Sequence, residues 1–243
     1  MRTVLSPNQD GRPSGVEIDM LVIHYTGMRD FQAALTRLTD PRAKVSAHYL
    51  IDEGGETYLL VPECRRAWHS GLSSWRGKTG VNSFSIGIEL VNPGHEFGYR
   101  GFPDAQMISL RKLASEILAR HPIPSLRVLG HSDVAPLRRN DPGELFDWKS
   151  MAQAGIGHWP EAFSSLDTAS VLSLSWAAYG DEVVVLQNML AQYGYGIEAT
   201  GVFDEITVGV VMAFQRHFRP KRVDGVADPE TRSRLAALVE AGG

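Results

Sequence analysis

The sequence is poor in cysteine, because its 243 residues include only Cys64. A single thiol excludes an intrachain disulfide and a cysteine-rich zinc finger. Long apolar runs are also missing, since no segment approaches the ~18 consecutive apolar residues of a membrane-spanning helix. Basic residues are not in excess either: 24 lysines and arginines stand against 28 acidic residues, for a net charge of −4. This balance argues against a broadly basic nucleic-acid-binding surface.

Signatures of serine and cysteine hydrolases are absent from the sequence. No Gly-x-Ser-x-Gly motif occurs, and Cys64 has no recognisable catalytic context, so a serine or cysteine hydrolase is disfavoured. The first residues, MRTVLSPNQDGRPSG, lack the apolar core of a secretory signal. On this criterion alone a cytoplasmic location is favoured.

The apolar content is sufficient for a packed core, with 43% hydrophobic and 21% charged residues. The length allows a larger domain and a smaller one. Small and polar residues cluster near Ser164–Ser175, which indicates a linker. We therefore predict domains over residues 1–165 and 166–243.

Strand-like and helix-like patterns alternate in the first domain. The predicted strands are Ile18–Tyr25, His48–Asp52, Thr57–Val61, Ser83–Val91 and Arg127–Gly130, and the predicted helices are Phe31–Leu38 and Asp104–Arg120. A mixture of this kind predicts an α/β fold, with a mixed central sheet covered by helices.

An internal repeat marks the C-terminal region. The segment GVFDEIT, which begins at Gly201, is echoed by GVADPET, which begins at Gly225. Each copy runs into a helical pattern, and Asp204 and Asp228 stand where N-cap residues occur. With one preceding helix, the pattern predicts a small three-helix domain.

Two histidines and a carboxylate are candidates for a metal site. His24 and His131 end the first and last predicted strands, and ligands bind beyond the carboxyl ends of strands in open α/β sheets. Asp141 follows on a loop, and Asp133 is a rival carboxylate. Two histidines, a carboxylate and one open position form a common catalytic zinc site. The competing interpretation is a structural role for each histidine.

Glu89 lies in the middle of an apolar predicted strand. Strand alternation places it on the same face as Ser85 and Gly87, whose small size leaves room for a ligand. A carboxylate in such a place is costly unless it is paired, hydrogen-bonded or facing a cleft. If it shares a cleft with His24, Glu89 is a candidate general base for a metal-activated water. The alternative is a solvated strand face.

The segment Arg65–Gly71, closely followed by Trp75, has the composition of a substrate-facing loop. Tryptophan stacks well on sugars and peptides, although it can equally anchor a loop on the core. We treat Trp68, His69 and Trp75 as candidate substrate-binding residues.

Six motifs occur together in a recognisable order. They are VIHYTG from Val22, SAHYLI from Ser46, RAWHSG from Arg66, SIGIE from Ser85, GHSDVAP from Gly130 and DPG from Asp141. Over about residues 15–162 the chain resembles the zinc-dependent N-acetylmuramoyl-L-alanine amidases of the amidase 2 type, which are related to peptidoglycan recognition proteins. About residues 168–240 resemble the three-helix peptidoglycan-binding module.

The resemblance implies one catalytic Zn²⁺. Its ligands would be His24, His131 and Asp141. Glu89 would be the catalytic carboxylate. Arg139 stands where the family often has lysine, and we expect it to stabilise an oxyanion because guanidinium stays protonated. His48 is expected beside the metal, as a further substrate-binding candidate.

The implied activity is hydrolysis of the amide bond between N-acetylmuramic acid and L-alanine in bacterial peptidoglycan or muropeptides. The alternative is a non-catalytic peptidoglycan recognition protein, which is disfavoured because the implied ligands and Glu89 are all present. The wall-binding module favours the periplasm or cell envelope. It also predicts that deletion after about Ser165 weakens binding to insoluble peptidoglycan and spares cleavage of small muropeptides.

Overall fold

The computed structural model describes residues 1–160 and 172–242. The predicted domain boundary and most of the predicted linker lie outside the described residues. No helix in the described ranges is both long enough and apolar enough to cross a membrane. The strands are β1 (Arg2–Thr3), β2 (Gln9–Gly11), β3 (Met20–Tyr25), β4 (Tyr49–Ile51), β5 (Thr57–Leu59), β6 (Arg65–Ala67), β7 (Ser74–Trp75), β8 (Lys78–Thr79), β9 (Ser85–Leu90) and β10 (Val128–Gly130). The helices are α1 (Phe31–Thr39), α2 (Gly94–Phe97), α3 (Asp104–Arg120), α4 (His131–Val134), α5 (Trp148–Gln153), α6 (Asp181–Tyr193), α7 (Glu205–Phe218) and α8 (Pro229–Glu240).

Six strands form the central sheet, in the order β1-β5-β4-β9-β3-β10. Neighbouring strands are parallel except for the antiparallel pair β4 and β5. The α/β class and the mixed sheet are therefore confirmed. Each predicted strand contains an observed one, and the predicted helix Asp104–Arg120 has the bounds of α3.

Side chains along β3 alternate between the two faces of the sheet, and each face packs against a different set of helices. Leu21 and Ile23 pack against the apolar face of α3, on one side of the sheet. Met20 and Val22 point to the other side and belong to a core that includes α6, α7 and α8. His24 continues this second series, because side chains two residues apart share a face. The C-terminal helices therefore cover part of the sheet face that carries His24.

The C-terminal repeat has a structural cause. Asp204 caps α7 by accepting a 2.9 Å bond from a backbone N–H of its first turn. The buried Gln187 closes the preceding turn, since its Oε1 accepts the N–H of Gly201 at 2.9 Å. Asp228 and Gln215 make the corresponding bonds before α8. Helices α6–α8 confirm the predicted three-helix unit.

A continuous core joins the C-terminal unit to the first part of the chain. Trp75 is fully buried, and its ring meets the rings of Tyr193 and Tyr195 edge-on, at centroid distances of 5.4 and 5.1 Å. The buried carboxylate of Asp133 accepts 2.7 Å bonds from the hydroxyl of Tyr195 and from Nδ1 of His217. The two parts are thus packed against each other through both apolar and polar contacts.

Candidate metal centre and active site

Three buried donor atoms converge at the carboxyl end of the sheet. β3 and β10 are adjacent and parallel, with Ile23 opposite Gly130, so the residues that follow, His24 and His131, lie side by side. Nδ1 of His24 lies 3.0 Å from Nδ1 of His131 and 2.9 Å from Oδ2 of Asp141. The third edge, from Nδ1 of His131 to Oδ2 of Asp141, is 3.1 Å. The three residues predicted from spacing and resemblance are therefore brought together.

The chemistry of these donors fits a divalent cation. Burial raises the pKa of Asp141, but contacts with His131 and His24 outweigh it and hold that pKa well below its usual range. Burial, followed by the proximity of His131, lowers the pKa of His24 to about 4. The carboxylate is thus ionised and this imidazole neutral at pH 7, the forms that bind metal. The three donor atoms, 2.9–3.1 Å from one another, are close enough to share one ion.

The rival carboxylate, Asp133, does not join this cluster. Its Oδ2 accepts the backbone N–H of Gly130 at 2.7 Å and also faces Nδ1 of His217. Its Oδ1 accepts the hydroxyl of Tyr195. Both oxygens are therefore occupied by partners that hold α4 to the C-terminal unit, which leaves Asp141 as the carboxylate of the candidate metal site.

Glu89 lies beside the three donors. It is the register partner of His24 in the β3–β9 pair, and in-register neighbours on adjacent strands point to the same face. Its side chain is only 8% exposed, and Oε2 is buried with no hydrogen-bond partner among the described residues. Burial and then the charge of Asp141 raise the pKa of Glu89 to about 8, against the opposing charge of Arg139. A buried, unpaired carboxylate with a shifted pKa is typical of a functional group.

Comparison with known proteins agrees with this arrangement. Residues 14–144 match the family model described as N-acetylmuramoyl-L-alanine amidase. The chain belongs to this amidase family. Residues 179–235 match a second model, described as a putative peptidoglycan binding domain. The predicted resemblance is therefore confirmed for both parts of the chain.

Several proteins of this family are similar to the chain over nearly its whole length. The chain is 40% identical to the N-acetylmuramoyl-L-alanine amidase AmiD of Escherichia coli K12, over 92% of this chain and 83% of AmiD. The structure of E. coli AmiD with its substrate anhydro-N-acetylmuramic acid-L-Ala-D-gamma-Glu-L-Lys is 39% identical, with a TM-score of 0.81, and covers 94% of this chain and 92% of that one. AMPDH3 from Pseudomonas aeruginosa, in complex with anhydromuramic pentapeptide, is 32% identical, with a TM-score of 0.76 and 98% coverage of both chains.

In this amidase-family chain, the space beside Glu89 is filled by the protein itself. A Cβ atom at Gly87 would lie 2.5 Å from Cγ of His69, so the imidazole occupies the room that glycine leaves. His69 is 4% exposed, and its Nδ1 lies 3.0 Å from Nε2 of His24. The expectation of a ligand in this space is corrected. His69 contacts a candidate metal ligand, and its own contact with substrate stays a prediction.

Two further substrate-binding candidates of this amidase-family chain are also buried. His48 has no exposed surface; its Nδ1 accepts the N–H of Gly87 at 3.0 Å, and its Nε2 lies 3.1 Å from the carbonyl of Arg65. These bonds connect β9 to β6, and contact of His48 with substrate stays a prediction. Trp75 belongs to the core shared with the C-terminal unit, which agrees with the core-anchor interpretation. Trp68 is half-buried, and its contact with substrate stays a prediction.

Arg139 lies two residues before Asp141, on an exposed segment. Its positive charge lowers the pKa of Glu89 and of His24, so the guanidinium acts electrostatically on the candidate site. Its role toward an oxyanion stays a prediction.

Sequence reasoning missed two residues that organise this amidase-family site. The carbonyl of Ser70 lies 3.1 Å from Nε2 of His131. Oδ1 of Asn82 accepts the backbone N–H groups of His69 and Ser70, at 3.1 and 2.7 Å. Ser70 lies within a recognised motif. Nothing in the local pattern indicates that its carbonyl contacts His131, which lies 61 positions away.

Proposed function

We propose that this chain hydrolyses the amide bond between the lactyl group of N-acetylmuramic acid and L-alanine, with Zn²⁺ as its cofactor. One observation carries the proposal: the donor atoms of His24, His131 and Asp141 lie 2.9–3.1 Å apart, beside the buried and unpaired carboxylate of Glu89. Membership of the amidase family supports the reaction. The substrate named for the similar AmiD structure supports the choice of anhydromuramoyl peptides as substrates.

The proposed reaction assigns a role to each buried group. His24, His131 and Asp141 hold the ion, which when bound supplies Lewis-acid activation of water at neutral pH. Glu89 accepts the proton of the attacking water on its unpaired Oε2 and later delivers it to the leaving amine. Burial raises the pKa of this carboxyl above its ordinary value in the metal-free chain, which favours uptake of a proton from water.

Arg139 stabilises the negative charge that develops on the amide oxygen. Replacing it with alanine is expected to lower kcat by ~10²–10³, the usual cost of one lost oxyanion donor. Arg139→Lys is expected to keep most of the activity, because lysine retains the positive charge. Initial rates and bound zinc are measured for both variants. An Arg139→Ala variant with wild-type kcat would remove this residue from the mechanism.

The C-terminal unit directs the enzyme to polymeric substrate. Its match to a peptidoglycan-binding model supports this role, and binding to the wall would raise the effective substrate concentration. This role favours action in the cell envelope.

Release of the amine from a defined substrate tests the proposed function. Mass spectrometry of an anhydromuramoyl tripeptide and of intact sacculi is expected to show free L-alanine-terminated peptide, its loss with a chelator, and its recovery with added Zn²⁺. His24→Ala, which lacks one donor, is the matched control and is expected to stay inactive with zinc. Binding of the tripeptide without amine release would instead identify a non-catalytic recognition protein.

A further inference from the structure

A buried imidazole next to the candidate metal site has no role in the proposed reaction. The ring of His69 meets the ring of His24 edge-on, with centroids 5.1 Å apart. Its hydrogen-bond partners within the described residues are His24, Ser70 and Ser85, and none of them is a carboxylate. A histidine in these surroundings is a neutral group with one donor nitrogen and one acceptor nitrogen.

The hydroxyl of Ser85 determines which nitrogen of His69 carries the proton. Oγ of Ser85 lies 2.7 Å from the carbonyl oxygen of Val81, which can only accept. The hydroxyl hydrogen therefore points to Val81. Oγ of Ser85 also lies 3.2 Å from Nε2 of His69. Because its only hydrogen is donated to Val81, Oγ must accept a hydrogen bond from Nε2. His69 thus carries its proton on Nε2, and its Nδ1 is a bare acceptor.

The same reasoning extends to His24. Nδ1 of His69 lies 3.0 Å from Nε2 of His24, and since this Nδ1 accepts, Nε2 of His24 must donate. The lone pair of His24 then lies on Nδ1, the atom that faces His131 and Asp141. A metal ligand needs this tautomer, and the hydrogen bond at the other nitrogen selects it.

The adjacent residue orients the second imidazole in the same way. Nε2 of His131 lies 3.1 Å from the carbonyl oxygen of Ser70, which can only accept, so Nε2 donates and Nδ1 is the nitrogen directed at the candidate site. The hydroxyl of Ser70 also lies 3.0 Å from Nδ1 of His69. The side chain of Asn82 holds the backbone of both residues. One dipeptide therefore contacts the outer nitrogens of both histidines of the candidate site.

We propose that His69 and Ser70 are positioning residues, which hold the outer protons of His24 and His131 so that both Nδ1 lone pairs meet at one point. The inference rests on the proposed function in one respect: Zn²⁺ is named as the ion that the two Nδ1 atoms bind. Loss of such an outer partner typically costs ~10–100-fold in metal affinity.

Two substitutions separate positioning from simple packing. His69→Phe keeps an aromatic ring over Gly87 and removes the acceptor, whereas His69→Asn keeps an acceptor oxygen near the Nδ1 position and removes the ring. We expect His69→Phe to raise the Kd for zinc by ~10–100-fold and His69→Asn to raise it clearly less. Competition with a chelator measures the Kd, and thermal unfolding of each variant establishes that it is folded. Wild-type zinc affinity in His69→Phe, or equal losses in both variants, would overturn the inference.

A measurement on the metal-free protein tests the inference independently of zinc and of catalysis. In ¹⁵N-histidine-labelled wild-type protein, we expect His69 to be neutral with its proton on Nε2. Ser85→Ala removes the acceptor for that proton and is expected to shift His69 toward the other tautomer. A proton found on Nδ1 of wild-type His69 would refute the positioning role even in an active amidase. Conversely, a wild-type chain without zinc or turnover would refute the proposed function and leave this test intact.

Discussion

Replacing Glu89 with glutamine is expected to lower kcat by ~10²–10⁴ while one equivalent of zinc stays bound. Glutamine keeps the size of the side chain but cannot accept the water proton. The three donors of the candidate metal site do not include Glu89, so the metal content is expected to be unchanged. The rate of amine release from an anhydromuramoyl tripeptide and the zinc content of the purified variant are measured together. Near-wild-type turnover would exclude Glu89 as the general base.

A matched substitution and a pH series distinguish a catalytic effect from an unfolded variant. Glu144 is a partly exposed carboxylate that pairs with His95, and Glu144→Gln is expected to keep most of the activity. The raised pKa of Glu89 makes a second prediction for metal-free protein. Because the unfolded chain ionises this group near pH 4.5 and the folded chain only near 8, wild-type stability falls as pH rises between these values. The melting temperature of Glu89→Gln relative to wild type is expected to increase over the same range.

Removing the C-terminal unit is expected to destabilise the whole protein, including the part that carries the candidate active site. Such destabilisation would replace the expectation from the sequence, which was that deletion after about Ser165 spares the cleavage of small muropeptides. The unit covers the sheet face on which Met20 and Val22 lie, and it covers Trp75. A chain that ends there would expose these side chains, and Asp133 would lose the donors of Tyr195 and His217.

The size of the effect follows from the apolar surface. The first part of the chain contributes six buried side chains to the shared core: Met20, Val22, Trp75, Val81, Leu129 and Val134. Even if only four of these six side chains became exposed, at about 1.5–3 kcal/mol each, the cost would be roughly 6–12 kcal/mol. This is comparable with the whole stability of a typical domain, about 5–15 kcal/mol. We therefore expect the truncated chain to lose its cooperative unfolding transition and its activity toward small substrates.

Thermal unfolding and tripeptide cleavage by the truncated chain test this expectation. Two full-length variants serve as graded comparisons. His217→Gln removes the imidazole that faces Asp133 and is expected to lower the melting temperature measurably. Val185→Ala alters a side chain of the unit that is 47% exposed and is expected to have little effect. A truncated chain that melts cooperatively and cleaves the tripeptide at the wild-type rate would refute the shared-core interpretation.

Local patterns in the sequence were sufficient to predict most elements of the sheet. Strand and helix periodicities depend on neighbours only a few positions away, and α3 was predicted with its observed bounds. The face of Glu89 was predicted for the same reason, because alternation along β9 is a local property. The caps at Asp204 and Asp228 also follow from short-range bonds.

What fills the space around Glu89 could not be predicted from the sequence, because it depends on contacts between residues far apart in the chain. Glycine at position 87 indicated room, but only the folded chain brings the ring of His69 into that room. Burial of His48 and Trp75 has the same origin, since each is enclosed by segments far away in the chain.

The sequence by itself determined the fold class, the internal repeat, the family resemblance and a short set of chemically capable residues, because each of these is encoded in local order and composition. The resemblance had implied Asp141 as the carboxylate beside the two histidines, and the tertiary structure supplied the physical reason. Asp133 and Asp141 are equally acidic in sequence, yet α4 turns the first toward Tyr195 and His217 and the loop brings the second within 3.1 Å of both imidazoles. It also decided the role of His69, because the direction of a hydrogen bond depends on partners that only folding brings together.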